Sequence, residues 1–314
     1  MELDNVIDEL THEIVSEINS KYGERYLAQE YQRLRNNDIL ALGFTIRRRD
    51  SLLGYVPLFY TERYVNDYMN GTSTSTMVKD ILGIFEVSLT RNFPSGDILT
   101  KNYIQNHLTF ELLSYKLNKE RLKDLMFVLY LDLAMIFRVI VGEVEDGVSY
   151  CLTKAMADRV QMSLADCFST ALLLTPKLLK PKVHCLSAMM AAAMQGSSLS
   201  QSFDTVPNLL EQSQEEVPDS MPMCLITNHI RQRGAGVILY RGVLKQIATQ
   251  YLSNFILLPS SIHEMLIVPW KKEMRLDSLA CMIQEINQRE VRPEEVLGEK
   301  PYVYRRELDR IAMN

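Results

Sequence analysis

The last third of this chain alternates short apolar runs with amphipathic helical stripes, and this alternation restricts the possible folds more than any other feature. Residues 255–258 and 265–268 are continuous apolar runs of strand length, which is typical of strands buried on both faces. Residues 243–252 and 276–286 instead repeat apolar side chains at helical spacing. We therefore predict an α+β fold, in which mixed sheets pack against amphipathic helices.

The rest of the chain carries the same two patterns. Ser163 and Asp166 stand three residues apart before an apolar stripe, which predicts a capped helix start. Asp146 and Gly147 stand between two apolar runs, which predicts a hairpin turn. We further predict helices over residues 6–18 and 77–89, and strands over residues 39–46, 55–60, 223–227, 236–240 and 302–304.

No stretch of the sequence predicts a membrane span or a repeat architecture. The longest apolar region, residues 125–142, is interrupted by Asp132 and Arg138 and falls short of the roughly 20 apolar residues that a spanning helix needs. No internal similarity recurs at a fixed period. We expect neither a transmembrane segment nor a solenoid or propeller.

A polar, acidic segment marks the candidate domain boundary. Residues 195–220 lose the apolar periodicity, are rich in serine and glutamine, and contain five carboxylates with no lysine or arginine. This composition favours a flexible connection. We predict an N-terminal α+β region over residues 1–194 and a C-terminal α/β region over residues 221–314, which either stand apart or form one unit.

The charge balance argues against broad nucleic-acid binding. The chain has 34 basic and 39 acidic side chains, a net charge of −5, whereas phosphate-backbone binding favours a basic protein. Arg47, Arg48 and Arg49 are consecutive, but neighbours on an extended chain point to opposite faces and do not converge on one anion. Nucleic-acid binding through these arginines is the weakest of three hypotheses.

The cysteines indicate a reducing compartment and no metal site. There are five, widely scattered and without a Cys-x-x-Cys pair, so we predict free thiols in a cytoplasmic protein. His263-Glu264 lacks the second histidine of the zinc-protease motif, because position 267 is isoleucine. No phosphate loop or dinucleotide glycine pattern occurs, and we therefore predict no cofactor.

The most unusual local sequence lies between the two apolar runs near residue 260. Ser260, Ser261, His263 and Glu264 are the residue types of a hydroxyl nucleophile, a base and an orienting carboxylate. A hydrolase that uses Ser260 or Ser261 with His263 and Glu264 is thus one hypothesis. Turn and surface roles explain the same residues, because members of a triad normally meet from distant positions.

The leading hypothesis is a non-enzymatic cytoplasmic module that acts on a protein or small-molecule partner. It rests on the lack of a clear catalytic pattern and on the acidic segment. Thr227 and Asn228 are the candidate ligand-binding residues. Whether the protein is an enzyme stays open.

One block of sequence is distinctive, Leu258-Pro259-Ser260-Ser261-Ile262-His263-Glu264. Further distinctive blocks are residues 56–58, 131–133, 225–228, 236–240, 242–244, 256–257, 294–297 and 302–304. Together these blocks resemble a family of uncharacterised bacterial proteins known only as a domain of unknown function. The resemblance implies no activity, cofactor or catalytic residue.

Overall fold

Antiparallel sheets covered by helices form the framework of the chain. The computed structural model describes residues 3–50, 56–89, 97–196, 198–212 and 221–313. The chain divides into two units, Met1–Phe93 and Pro94–Asn314. This architecture confirms the predicted α+β class, and no helix in the described ranges is long and apolar enough to cross a membrane.

The first unit packs helices on one small sheet. Strands β1, β2 and β3 pair antiparallel in that order. The apolar stripe of the first helix buries Leu10, Ile14 and Ile18 completely, and the side-chain amide of Asn19 exchanges two 2.9 Å hydrogen bonds with the backbone of Ala28. The elements are α1 (Leu3–Lys21), β1 (Tyr26–Leu34), β2 (Leu40–Arg48), β3 (Leu58–Tyr60), α2 (Val65–Met69) and α3 (Thr74–Leu89).

The second unit contains the other two sheets of the described chain. One has the strand order β13-β12-β10-β11-β9-β8; in the other, β4, β6 and β5 lie side by side and β7 pairs with β6. Its strands are β4 (Leu108–Ser114), β5 (Phe127–Tyr130), β6 (Leu133–Ile140), β7 (Ser149–Cys151), β8 (Pro181–Cys185), β9 (Cys224–Asn228), β10 (Phe255–Pro259), β11 (Met265–Pro269), β12 (Tyr302–Arg305) and β13 (Arg310–Ala312).

The helices of the second unit cover these sheets. The main core joins side chains of both sheets, such as Phe137, Ile226 and Leu257, to those of helices such as Cys167 and Ile247. The helices are α4 (Lys101–His107), α5 (Lys154–Arg159), α6 (Leu164–Leu178), α7 (Leu186–Met194), α8 (Leu199–Thr205), α9 (Val243–Gln250) and α10 (Leu276–Arg289).

Local sequence signals predicted several of these elements correctly. The Ser163 hydroxyl accepts from the Asp166 backbone while the Asp166 carboxylate accepts from the Ser163 backbone, so the predicted capped helix start is confirmed. The predicted hairpin is also confirmed, with Gly147 in the left-handed region at φ 66° between β6 and β7. The long apolar stripes became α1, α3, α9 and α10.

The strand predicted over residues 236–240 is wrong. Gly234–Leu239 forms a buried 3₁₀ helix instead. Gly234 is pressed against β9, where a Cβ atom would lie 2.2 Å from the Thr227 hydroxyl oxygen. The chain turns at this close approach, so it does not continue as a paired strand.

The segment predicted as an acidic flexible connection, residues 195–220, contains ordered structure. Helix α8 begins with a capping box formed by Ser198 and Gln201, and Val206 and Leu209 that follow it are buried. The sequence does not predict α8, because a helix this short has too few apolar residues to form a periodic pattern. Residues 213–220 lie outside the described residues, and the division of the chain at this segment stays a prediction.

Candidate functional site

A buried ion cluster lies on one face of the β4–β6–β7 sheet. Thr109 of β4 stands opposite Arg138 of β6, which stands opposite Cys151 of β7. Side chains of directly opposed residues share a face, as do residues two apart on one strand. Glu111 therefore joins the same face as Arg138 and Cys151, in a sheet whose other residues are mostly apolar.

Glu111 is the centre of this cluster. Its side chain is 4% exposed, and its Oε1 accepts a 3.2 Å hydrogen bond from Arg138 Nη1. Its Oε2 lies 3.0 Å from Arg233 Nε, but not in hydrogen-bonding geometry. A carboxylate so deeply buried is stable only when it is paired.

The guanidinium group of Arg138 donates five hydrogen bonds to its neighbours. Its Nε and Nη2 donate to the Ser149 hydroxyl at 3.0 and 2.9 Å, and Nη2 also donates to the Ser149 carbonyl at 3.1 Å. Its Nη1 donates to Cys151 Sγ at 3.0 Å as well as to Glu111. A guanidinium group has five N–H donors, so Arg138 acts as a fixed structural cation.

The electrostatics keep Glu111 ionised. Burial disfavours its charged form, but the guanidinium groups of Arg138, Arg233 and Arg121 outweigh burial and hold the pKa of Glu111 below its ordinary value. Burial also disfavours the charged form of Arg233 and lowers its pKa, although the Glu111 carboxylate acts to raise it. Because Arg138 and Arg233 together face one carboxylate, a net positive charge remains beside it.

Glu111 makes stability depend on pH in a defined direction. An unfolded glutamate titrates near pH 4.3, whereas folded Glu111 stays charged to lower pH. Its contribution to stability is thus fully present above the unfolded pKa and is lost as pH falls through the folded pKa. We expect the stability difference between wild type and Glu111→Gln, measured by urea unfolding, to shrink from about pH 7 to about pH 3; a constant difference would contradict this.

Arg233 reaches the cluster from the loop that follows β9. Its backbone has φ 53°, a left-handed conformation that is uncommon for a residue with a side chain and that tends to occur at functional sites. Its backbone N–H donates to His263 Nδ1 at 3.1 Å. Among the described residues, its side chain has Glu111 as its sole ion-pair or hydrogen-bond partner, and this contact uses Nε.

A small pocket of about 30 Å³ opens at this point. Residues of β4, of β6, of the β6–β7 turn and of the loop after β9 line it. The polar residues that line it are Thr109, Glu111, Arg138, Ser149, Gln232 and Arg233.

The four residues predicted as a hydrolytic site make other contacts. The hydroxyls of Ser260 and Ser261 both donate to Glu264 Oε1, at 3.2 and 2.9 Å. The ring of His263 instead accepts from the Arg233 backbone through Nδ1, so that its neutral form carries the proton on Nε2, 3.5 Å from Glu295 Oε1. The His263 backbone N–H donates to the Ser261 hydroxyl at 3.0 Å, but among the described contacts no hydrogen bond joins either serine to the His263 ring.

Thr227 and Asn228 hold the same loop. The Thr227 hydroxyl donates to the His263 carbonyl at 2.7 Å. The Asn228 side chain bridges the loop, donating to the Gln232 carbonyl at 2.8 Å and accepting from the Gln232 backbone N–H at 3.3 Å. Of the predicted site residues, Thr227, Asn228 and His263 therefore hold the segment that presents Arg233 and Gln232 to the pocket.

We expect His263→Ala to affect the loop and not a hydrolytic reaction. The substitution removes the acceptor of the Arg233 N–H and should lower the free energy of unfolding by about 1 to 3 kcal/mol, measured in urea. Hydrolysis of ester, amide and phosphoester substrates should match that of wild type. A substrate whose turnover is lost in His263→Ala, while Ser261→Ala loses it equally, would revive the hydrolase hypothesis.

The arginine run of the first unit does not form a cluster. Arg48 pairs with Asp50 at 2.5 Å and lies 3.6 Å from Glu86, while Arg49 donates to the Gly23 carbonyl at 2.7 Å. Arg47 is exposed. Two of the three guanidinium groups therefore have separate protein partners.

Sequence reasoning missed Glu111 and Arg233. The available signal was a charged residue inside an otherwise apolar strand, as at Glu111 in β4 and Arg138 in β6, because such residues are rarely buried without a partner. Arg138 was noted only as an interruption of an apolar run. In the described part of the chain, no three acidic, histidine or cysteine side chains are grouped to hold a metal ion.

Comparison with known proteins identifies the family of this chain. Residues 7–306 match DUF5688, a family of unknown function, while no curated protein and no solved structure matches. The resemblance to a domain of unknown function is thereby confirmed. With nearly its whole length matched, the chain belongs to the DUF5688 family.

Proposed function

We propose that this protein is a ligand-binding module whose pocket beside Arg233 takes a carboxylate group. The observation that carries the proposal is the arrangement of Arg233: its Nε lies 3.0 Å from Oε2 of buried Glu111, and no described residue accepts a hydrogen bond from its two terminal nitrogens. A guanidinium group presents paired donors that match a carboxylate. The excess positive charge beside Glu111 favours an anion over a neutral ligand.

The size of the pocket favours a carboxylate over a phosphate. A water-sized group needs roughly 10 to 15 Å³ of such a cavity, so about 30 Å³ accepts roughly two oxygen atoms. Whole small-molecule sites are typically about ten times larger. The ligand is therefore either a very small acid or the carboxylate end of a molecule that lies mostly outside the pocket.

The surroundings of Arg233 support binding without catalysis. Ser149 and Thr109 add hydroxyl groups to the pocket lining, but Ser149 already accepts from Arg138. His263, which contacts the loop, uses Nδ1 to accept from the Arg233 backbone. A nucleophile would need a free base within hydrogen-bond reach, whereas binding needs only the fixed cation.

Acetate titration of three variants tests the proposal. In thermal unfolding at constant ionic strength, acetate should raise the melting temperature of wild type saturably, since a ligand that binds only the folded state stabilises it. Arg233→Gln should abolish the response, and Arg233→Lys should weaken it because a lysine cannot pair bidentately. Exposed Arg241, which precedes α9, provides the control Arg241→Gln, whose response should equal that of wild type.

Two outcomes would overturn this function. One is a response to acetate that Arg233→Gln retains in full. The other is a larger saturable response to inorganic phosphate than to acetate in wild type, since a phosphate exceeds the space described above. Sodium chloride at matched ionic strength separates binding from general screening.

The cytoplasm is the compartment that we infer for this activity. All five cysteines are free thiols, two of them in the interior of the main core. Disulfides are the common state of paired cysteines in secreted proteins, and free thiols are typical of reducing compartments. Fractionation of cells that express the tagged chain tests this location, and recovery in the secreted fraction would contradict it.

A further inference from the structure

Two cysteines face each other across β8 and β9. The antiparallel register places Cys185 directly opposite Cys224. The next pair, Leu186 and Met223, is hydrogen-bonded, with Leu186 N–H donating to the Met223 carbonyl at 2.9 Å. Because hydrogen-bonded and non-hydrogen-bonded pairs alternate along an antiparallel ladder, the cysteines occupy a non-hydrogen-bonded pair.

A second strand position supports this assignment. Val183, two residues before Cys185, directs both backbone groups away from β9: its N–H donates to Asn208 Oδ1 and its carbonyl accepts from Leu209 N–H, at 2.9 and 2.8 Å. Residues two apart on a strand share this orientation. Cys185 therefore shares the sheet face of Val183, the same face to which Cys224 contributes.

The backbone spacing of such a pair suits a disulfide. In a non-hydrogen-bonded pair the Cα atoms are about 4.5 Å apart, and disulfides join Cα atoms separated by roughly 4.4 to 6.8 Å. Each thiol now makes a weak contact that rotation would release: Cys185 Sγ lies 3.1 Å from the Ser187 hydroxyl, and Cys224 Sγ donates to the Pro222 carbonyl at 3.4 Å. Both are free thiols.

The two cysteines differ in access to solvent. Cys185 is partly exposed, whereas Cys224 is fully buried, and burial raises the pKa of Cys224 to about 12. Burial also raises the pKa of Tyr251 to about 12, with smaller contributions from Cys224 and Cys185, so its hydroxyl lies near both thiols. An oxidant from solvent meets Cys185 first.

We propose that Cys185 and Cys224 are a redox-active pair that a low-molecular-weight disulfide converts into an internal disulfide. The Cys185 thiolate attacks glutathione disulfide, forming a mixed disulfide and releasing one glutathione thiolate, which takes up the proton that Cys185 gave to water. The Cys224 thiol then displaces the second glutathione and passes its proton to it. Two protein thiols are oxidised, and one glutathione disulfide is reduced to two thiols.

The disulfide would close the connection between β8 and β9 into a covalent loop. This connection carries α7, α8 and the whole acidic segment, residues 195–220. The short Cα spacing lies at the lower end of the disulfide range, which makes such a bond easier to reduce. The pair is thus suited to reversible oxidation and not to permanent cross-linking.

Thiol mapping of the full chain tests the pair. Reduced protein is incubated with glutathione disulfide, the remaining thiols are alkylated under denaturing conditions, and masses are measured before and after dithiothreitol. We expect one peptide pair linked through Cys185 and Cys224, with neither thiol alkylated, a separate glutathione adduct at most on exposed Cys281, and full reversal by dithiothreitol. Thermal unfolding should occur roughly 5 °C higher in the oxidised form.

Single substitutions make the test decisive. Cys281→Ser removes an exposed thiol on α10 and should leave the linked pair unchanged, whereas Cys224→Ser should leave Cys185 as a stable glutathione adduct. The proposal is overturned if wild type stops at that adduct with Cys224 fully alkylated, or if the linked peptides contain Cys281.

Discussion

Glu111→Gln is expected to lower the free energy of unfolding of the second unit by about 3 to 5 kcal/mol, because removing one partner of a buried ion pair leaves the other uncompensated. Arg138 would lose the carboxylate it meets at 3.2 Å, and Arg233 the one at 3.0 Å. Urea unfolding followed by circular dichroism measures the change. It should be among the most damaging conservative substitutions in the chain.

Glu299→Gln is the matched control. Glu299 pairs with Lys116 at 3.5 Å, but both side chains are largely exposed, and exposed pairs contribute about 0 to 1 kcal/mol. Equal losses of stability in Glu111→Gln and Glu299→Gln would mean that Glu111 is not the buried ion-pair partner of Arg138 and Arg233. A large loss in Glu111→Gln with a small one in Glu299→Gln is the result that the burial of Glu111 predicts.

Gly234→Ala should destabilise the same unit by about 3 kcal/mol, because a methyl group at this position has no space. Its Cβ would lie 2.2 Å from Thr227 Oγ1 and 2.7 Å from both Asn228 N and the His263 carbonyl oxygen. Two of these atoms belong to the backbone and cannot rotate away. The loop must therefore move, and the acetate response of Arg233 should weaken along with stability.

Gly83→Ala is the same chemical change as Gly234→Ala, but we expect it to increase stability. Gly83 lies within α3, where a Cβ atom would meet nothing within 4 Å. Alanine is favoured over glycine in a helix interior by about 0.5 to 1 kcal/mol, so the first unit should become slightly more stable. If Gly234→Ala were equally harmless, the close packing of the loop on β9 would be wrong.

The elements that could be predicted from the sequence are those whose burial pattern is local. The stripe of α1 and the capping box of α6 depend only on neighbouring residues, and both were predicted. Strand β1 was not, since it runs at the edge of its sheet and most of its length is exposed on both faces, which removes the alternation of apolar residues. The 3₁₀ helix after Arg233 was mistaken for a strand because short apolar runs do not distinguish the two.

The candidate site depended on contacts that no local pattern contains. Glu111, Arg138 and Arg233 meet through strand pairing and a loop, and their spacing in sequence has no characteristic period. His263 and Thr227 were correctly singled out as unusual, but the reason is structural: both contact the loop that carries Arg233. Whether they also take part in a reaction stays a prediction for the hydrolysis test.

The most direct test of the account follows the side chain of Arg233 itself. In nitrogen-15 NMR spectra, the Nε–H signal of Arg233 is identified by its loss in Arg233→Lys, and acetate is then titrated into wild type. If Arg233 binds the carboxylate, this signal shifts saturably, while the Arg241 signal stays in place. A saturable shift elsewhere with the Arg233 signal unmoved, or no saturable shift at all, would contradict it.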